Sequence, residues 1–128
     1  MNTNRTLVAL NAVTATTVSD KIFVGGAKRI AVLLRRAANA GGTSAFTIKA
    51  SLDPIDTVTP VMTALNVWID NVTNDNTKML TRVNGTSIIN ADGDKFLFLS
   101  PECIVNWLEI TVTETADGTH SAYIIVEQ

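Results

Sequence analysis

The sequence predicts an all-β fold, a single-domain antiparallel β-sandwich of jelly-roll-like type. Three observations lead there. Short apolar runs recur between clusters of Gly, Asn and Asp, the rhythm of many short strands joined by turns. Several runs alternate apolar and polar residues with a period of two, as strands with one buried face do. The prolines Pro54, Pro60 and Pro101 fall between the runs, where a missing N–H breaks no ladder.

Residues 1–12 are polar at MNTNR and then apolar, which suits an edge strand or an arm that orders against a neighbour. Residues 13–128 are assigned to the sandwich. FVGGAKRIAVLLRRAANAGGTS, from Phe23 to Ser44, reads as a strand with Ile30, Val32 and Leu34 on its core face. Gly25-Gly26 supplies the turn before it, and Gly41-Gly42 the turn that makes it half of a hairpin with the next segment. A helix over part of this stretch is the competing reading, because Ile30, Leu33, Leu34, Ala37 and Ala38 also follow i, i+3, i+4 spacing. The strand is preferred because both neighbouring segments are better strands than helices. A phosphate-cradling loop fails on its chemistry: it needs Lys followed by Ser or Thr to hold a metal, and Lys28 is followed by Arg29.

SAFTIKASL alternates strictly, placing Phe46, Ile48, Ala50 and Leu52 toward the core. VMTALNVWID continues in the same sense through Val61, Leu65, Val67 and Ile69. TKMLTRVNGTSIINA contains Asn84-Gly85, the dipeptide that tolerates the positive φ of a type I′ turn, and predicts a hairpin. KFLFL is apolar on both faces and predicts a strand buried on both. The chain closes with a predicted hairpin, Ile104, Leu108, Ile110 and Val112 leading to an Asp117-Gly118 turn and Ala122, Ile124 and Val126 returning.

Composition narrows the function. Hydrophobic residues make up 46% and charged ones 17%, with a net charge of -2, so the chain is neither a disordered tail nor a basic nucleic-acid binder. No run of about eighteen apolar residues is present, so no membrane span is expected. TLVALNAV after Arg5 is interrupted by Asn11 and lacks a small-residue cleavage site, so no signal peptide is expected. The lone Cys103 rules out an intrachain disulfide, and with the lone His120 it leaves no ordinary zinc site.

The order SDKIFVGGAKRIAVLL, GGTSAFTIKASLD, NDNTKMLTRV and DGTHSAYIIVE resembles small β-sandwich virion structural proteins of tailed bacteriophages, of the head decoration or cement type. The likeness runs from Ser19 onward. It implies a non-enzymatic capsid decoration protein that sits on the capsid exterior as a dimer or trimer and stabilises contacts between capsid subunits. The implied partners are the major capsid protein and copies of itself, with no nucleic acid and no membrane, after synthesis in the host cytoplasm. No catalytic residue and no cofactor are implied.

If the aliphatic positions mark the core face, then Trp68, Trp107 and Tyr123 point away from it. Large aromatics on a nominally wet face suggest a covered surface, so these three are candidate protein-interface residues. Lys28, Arg29, Arg35 and Arg36 flank one strand and are candidates for docking to an acidic partner, against the plainer reading of solvated strand ends. Cys103 and His120 are the conceivable nucleophilic pair, but nothing in the sequence brings them together, and no catalysis is assigned. Asp92, Asp94, Asp70 and Asp75 form oxygen-rich turns without the terminal glutamate of a calcium loop, so no metal site is assigned. The competing function is a glycan- or receptor-binding module of a phage head fibre or tail, in which Trp68 or Trp107 would stack on sugar.

Overall fold

The computed structural model describes residues 3–38, 43–65, 67–70, 81–83, 86–89, 92–100, 103–114 and 118–128. The long strands are β1 (Asn4–Val13), β4 (Arg29–Ala37), β5 (Ser44–Ser51), β10 (Gly93–Leu99), β11 (Trp107–Glu114) and β12 (Thr119–Glu127). Between them lie the short strands β2 (Thr17–Val18), β3 (Ile22–Phe23), β6 (Thr63–Ala64), β7 (Trp68–Asp70), β8 (Thr81–Val83) and β9 (Thr86–Ile89). Within Phe23 to Ser44 the long element is therefore the strand Arg29–Ala37, with no helix among the described residues.

Two antiparallel sheets stack. Sheet I has the order β1-β12-β4-β10-β7-β8; sheet II has β2-β11-β5-β6, with β3 also on β11 and β9 also on β5. If β2 with β3 counts as one edge strand and β6 with β9 as another, sheet I holds the first, eighth, third and sixth strands. Sheet II then holds the second, seventh, fourth and fifth. This is the order of a jelly roll, with β7 and β8 extending sheet I.

The period-two pattern explains the core. Ile30, Val32 and Leu34 of β4, Phe46, Ile48 and Ala50 of β5, Leu108, Ile110 and Val112 of β11, and Ala122, Ile124 and Val126 of β12 all turn inward and are buried. Local devices hold the edges. The Ser19 hydroxyl accepts the Ile110 N–H at 2.9 Å while Ser19 N–H donates to the Ile110 carbonyl, so this residue keeps the edge attached between β2 and β3. Ala12, at φ 50°, sits where β1 slips register against β12, and Ser121 Oγ accepts its N–H at 2.9 Å. Gly25 leaves room for the Phe23 ring, since a Cβ there would lie 2.4 Å from the ring's far end and would push it aside.

Several expectations are corrected. β4 pairs with β12 and β10 while β5 lies in the other sheet, so the chain crosses between layers after β4 and makes no hairpin. The same holds for β11 to β12, and for β8 to β9, which pair with β7 and β5 respectively. Gly41-Gly42, Asn84-Gly85 and Asp117 lie outside the described residues. Leu52 and Ile104 fall beyond the ends of β5 and β11 and are exposed, not core. The alternation from Val61 to Ile69 breaks because β6 belongs to sheet II and β7 to sheet I, and the change of sheet resets which parity faces inward. Trp68 therefore points into the core, fully buried, and Ile69 points out.

Candidate functional site

The outer face of sheet I is the surface these strands build together. Because Leu97 turns inward, Phe96 and Phe98 of β10 must turn outward, where they are 40% and 36% exposed. Register then aligns one row across four strands, Phe96 beside Leu33, Leu33 beside Tyr123 and Tyr123 beside Val8. The next row runs Ile69, Phe98, Ala31, Ile125 and Thr6. The two phenylalanine rings lie nearly parallel, 13° apart, with centroids at 6.4 Å. KFLFL is thus not buried on both faces: in a two-layer sandwich a strand has only one face to bury.

Ion pairs close this apolar face at both ends. Arg35 grips Asp94 bidentately, Nε to Oδ1 at 2.8 Å and a second nitrogen to Oδ2 at 3.0 Å, and its guanidinium lies 5.8 Å from the Tyr123 ring centroid. The Arg35 hydrogen bond holds the Asp94 carboxyl below the usual range, against a smaller opposing effect of burial. At the other end Arg29 hydrogen-bonds Glu127, which raises the guanidinium pKa further. Both cations are neutralised in place, leaving a patch that suits an apolar partner more than an acidic one.

The other predicted residues divide. Lys28 is exposed at the Arg29 end of β4. Arg36 is a correction: it is the fourth inward residue of β4 and is buried, its Nε 3.8 Å from Asp92 Oδ1. Trp107 does face outward, on sheet II, but the chain covers it. Phe23 meets its ring edge-on at 5.1 Å, and the indole N–H donates to the Asp53 and Pro54 carbonyls at 3.0 and 3.3 Å. Tyr123 alone of the three aromatics stands in the open apolar row.

A second cluster escaped the sequence reading. In four strands the inward series ends on a polar residue: Arg36 after Leu34, His120 before Ala122, Ser44 before Phe46 and Glu114 after Val112. Arg36 pairs across strands with His120 in sheet I, and Ser44 with Glu114 in sheet II, so the four plug one end of the core. Ser44 Oγ lies 2.6 Å from His120 Nε2, while His120 Nδ1 is 3.9 Å from Glu114 Oε1. A hydroxyl held on an imidazole is half of an acyl-transfer site. Here both are fully buried and the carboxylate is beyond hydrogen-bond range, so the arrangement offers a substrate no approach.

Cys103 lies at the opposite end of the sandwich, near Ile30 and Leu99, so it makes no dyad with His120. Among the described residues no group of three acidic, His or Cys side chains is arranged to hold a metal ion. Asp75 and the Asp70 side chain lie outside the described residues.

No protein-family model matches the chain, and no curated protein sequence does. Among solved structures the fold is similar to that of the SPBc2 prophage-derived protein YomS. The TM-score is 0.69 at 12% identity, over 100% of this chain and 96% of that one. At that identity the likeness is one of fold.

Proposed function

We propose that the chain is a virion structural protein of a tailed phage, a decoration or cement protein that binds the assembled head from outside and reinforces contacts between capsid subunits. The observation that carries the reading is the apolar outer face of sheet I, with Phe96, Phe98 and Val8 exposed and Tyr123 half-buried among them on a four-strand platform. Such a patch on a chain with few charges is expected to be covered by a partner. The major capsid protein is that partner, and the part played is structural rather than enzymatic. Similarity of fold to a prophage-derived protein supports the phage setting. Many copies on a symmetric shell make weak individual contacts effective.

The glycan-binding alternative finds less support. Trp68 is core, and Trp107 has its ring packed against Phe23 and its N–H engaged within the chain. The test is co-sedimentation of the purified protein with heads assembled without it. Saturable binding is the expected result; a folded protein that stays in the supernatant at every concentration would overturn the proposal.

A further inference from the structure

A second apolar feature lies at the end of the sandwich where Ile30, Ala50, Leu108 and Val126 close the core. Ile104 stands there as a ridge, 79% exposed, between Cys103 and Val105. On one flank is a hollow of about 330 Å³ lined by Leu52, Asp53, Val61, Leu65 and Val67. Leu52 and Val61 are 69% and 74% exposed, and Ile55 and Val58 carry the apolar character further along the same loop. On the other flank is a hollow of about 340 Å³ lined by Lys28, Arg29, Ile30, Phe98 and Leu99.

Charge divides in the same way. The Lys28 side chain has no ion-pair partner among the described residues, whereas Arg29 is held by Glu127. Across the ridge Asp53 lines the hollow, its carboxylate accepting the Val61 N–H at 2.8 Å, and Asp56 follows in the turn closed by Thr57 N–H on the Pro54 carbonyl. They are the only charged residues from Leu52 to Val61, and neither is in an ion pair among the described residues.

We propose that two copies of this chain associate through this end, about a two-fold axis beside Ile104. A two-fold contact requires a surface that complements itself, residue i of one copy meeting residue j of the other and the reverse. A ridge beside a hollow, with a lysine on one flank and carboxylates on the other, has that property. Ile104 of each copy seats against the partner subunit's Leu52 and Val61, and Lys28 of each faces the partner subunit's Asp56. The occupant is a second copy because both complementary halves are present on this one surface. The contact borders the outer face of sheet I at Phe98 and Ile69, which line the second hollow, but Ile104, Leu52 and Val61 at its centre lie off that face. Its readout is mass in solution without capsids, so it stands or falls independently of head binding.

Sedimentation equilibrium of the full chain tests it. The wild type should sediment at twice its 13.7 kDa mass at high concentration. Ile104→Glu should raise the dimer Kd about thirtyfold or more, the range of a central anchor residue. Circular dichroism should show the fold kept, since Ile104 is exposed. Lys28→Glu and Asp56→Lys should each weaken the dimer at low salt and together restore it. A short bismaleimide should join Cys103 of two wild-type copies and fail with Ile104→Glu. A wild type that stays monomeric at every concentration would overturn the proposal, as would an Ile104→Glu dimer of unchanged affinity or a double charge swap no better than its parts.

Discussion

Replacing Phe96 and Phe98 together by Thr should weaken head binding without unfolding the protein. A phenylalanine side chain offers on the order of 200 Å². At 40% and 36% exposure the two rings therefore present on the order of 150 Å² of open apolar surface. Covering that surface is worth up to ~4 kcal/mol at about 25 cal/mol per Å², or about three decades of affinity. Ordering of side chains and imperfect desolvation consume part of this. The expected loss is therefore at least about tenfold and at most about a thousandfold. Thr keeps the strand preference of β10, and Leu97 still anchors it from the core side. The assay is displacement of fluorescent wild type from undecorated heads by unlabelled variant, with thermal unfolding as the check on folding. A folded double variant that displaces the probe as well as wild type does would refute the assignment of this face.

Three further outcomes follow from the interior and the rim. Trp68→Ala should destabilise the chain by about 3–5 kcal/mol. Trp68→Phe should cost about 1 kcal/mol or less, because it keeps most of the ring and removes a buried indole N–H with no partner among the described residues. Urea denaturation separates the two, and equal losses would contradict the core placement. Ser44→Ala should cost about 1–2 kcal/mol by taking away the hydroxyl against His120 Nε2, and His120→Ala more, by opening a cavity as well; an unchanged denaturation midpoint for both would speak against the plug. Asp94 has a depressed folded pKa through Arg35, so its stabilising effect is present above the unfolded carboxylate pKa and is lost as pH falls through the folded value. The stability difference between wild type and Asp94→Asn should accordingly be present at neutral pH, shrink in acid below about pH 4, and weaken in high salt. A difference that grows on acidification would reverse that sign.

Alternation made much of the core legible. Ile30, Val32 and Leu34, or Phe46, Ile48 and Ala50, announce their inward face by period alone. Turn chemistry, by contrast, reports that the chain reverses and not where the returning strand lands. Around Gly41-Gly42, Asn84-Gly85 and Asp117-Gly118 the returning strand stacks in the opposite layer instead of pairing in the same one. The same change of layer hid Trp68. Parity counted from Val61 fails at once, since Val61 is itself exposed, and the chain leaves sheet II after Ala64.

The outer face of sheet I is half legible in the sequence. Tyr123 is legible from the alternation of its strand and Arg35 from the basic residues that flank β4, but KFLFL reads as wholly buried and so hides Phe96 and Phe98. The two-layer architecture corrects that reading, since among the described residues no third layer covers β10. The polar plug left a signal too: Arg36 and Ser44 stand at core parity next to Leu34 and Phe46. A polar residue at an inward position near a strand end is readable as a core terminus, but its partners, His120 and Glu114, come from strands remote in sequence.

The most direct test of the central claim is the heat stability of the particle. Heads assembled without this protein are saturated with it, washed, and heated beside bare heads, and nucleic-acid release is followed with a dye. The decorated heads should open at a higher temperature, and heads treated with the Phe96→Thr, Phe98→Thr chain should open with the bare ones. Equal opening temperatures for bare and saturated heads would contradict the cementing role, whatever the affinity of binding.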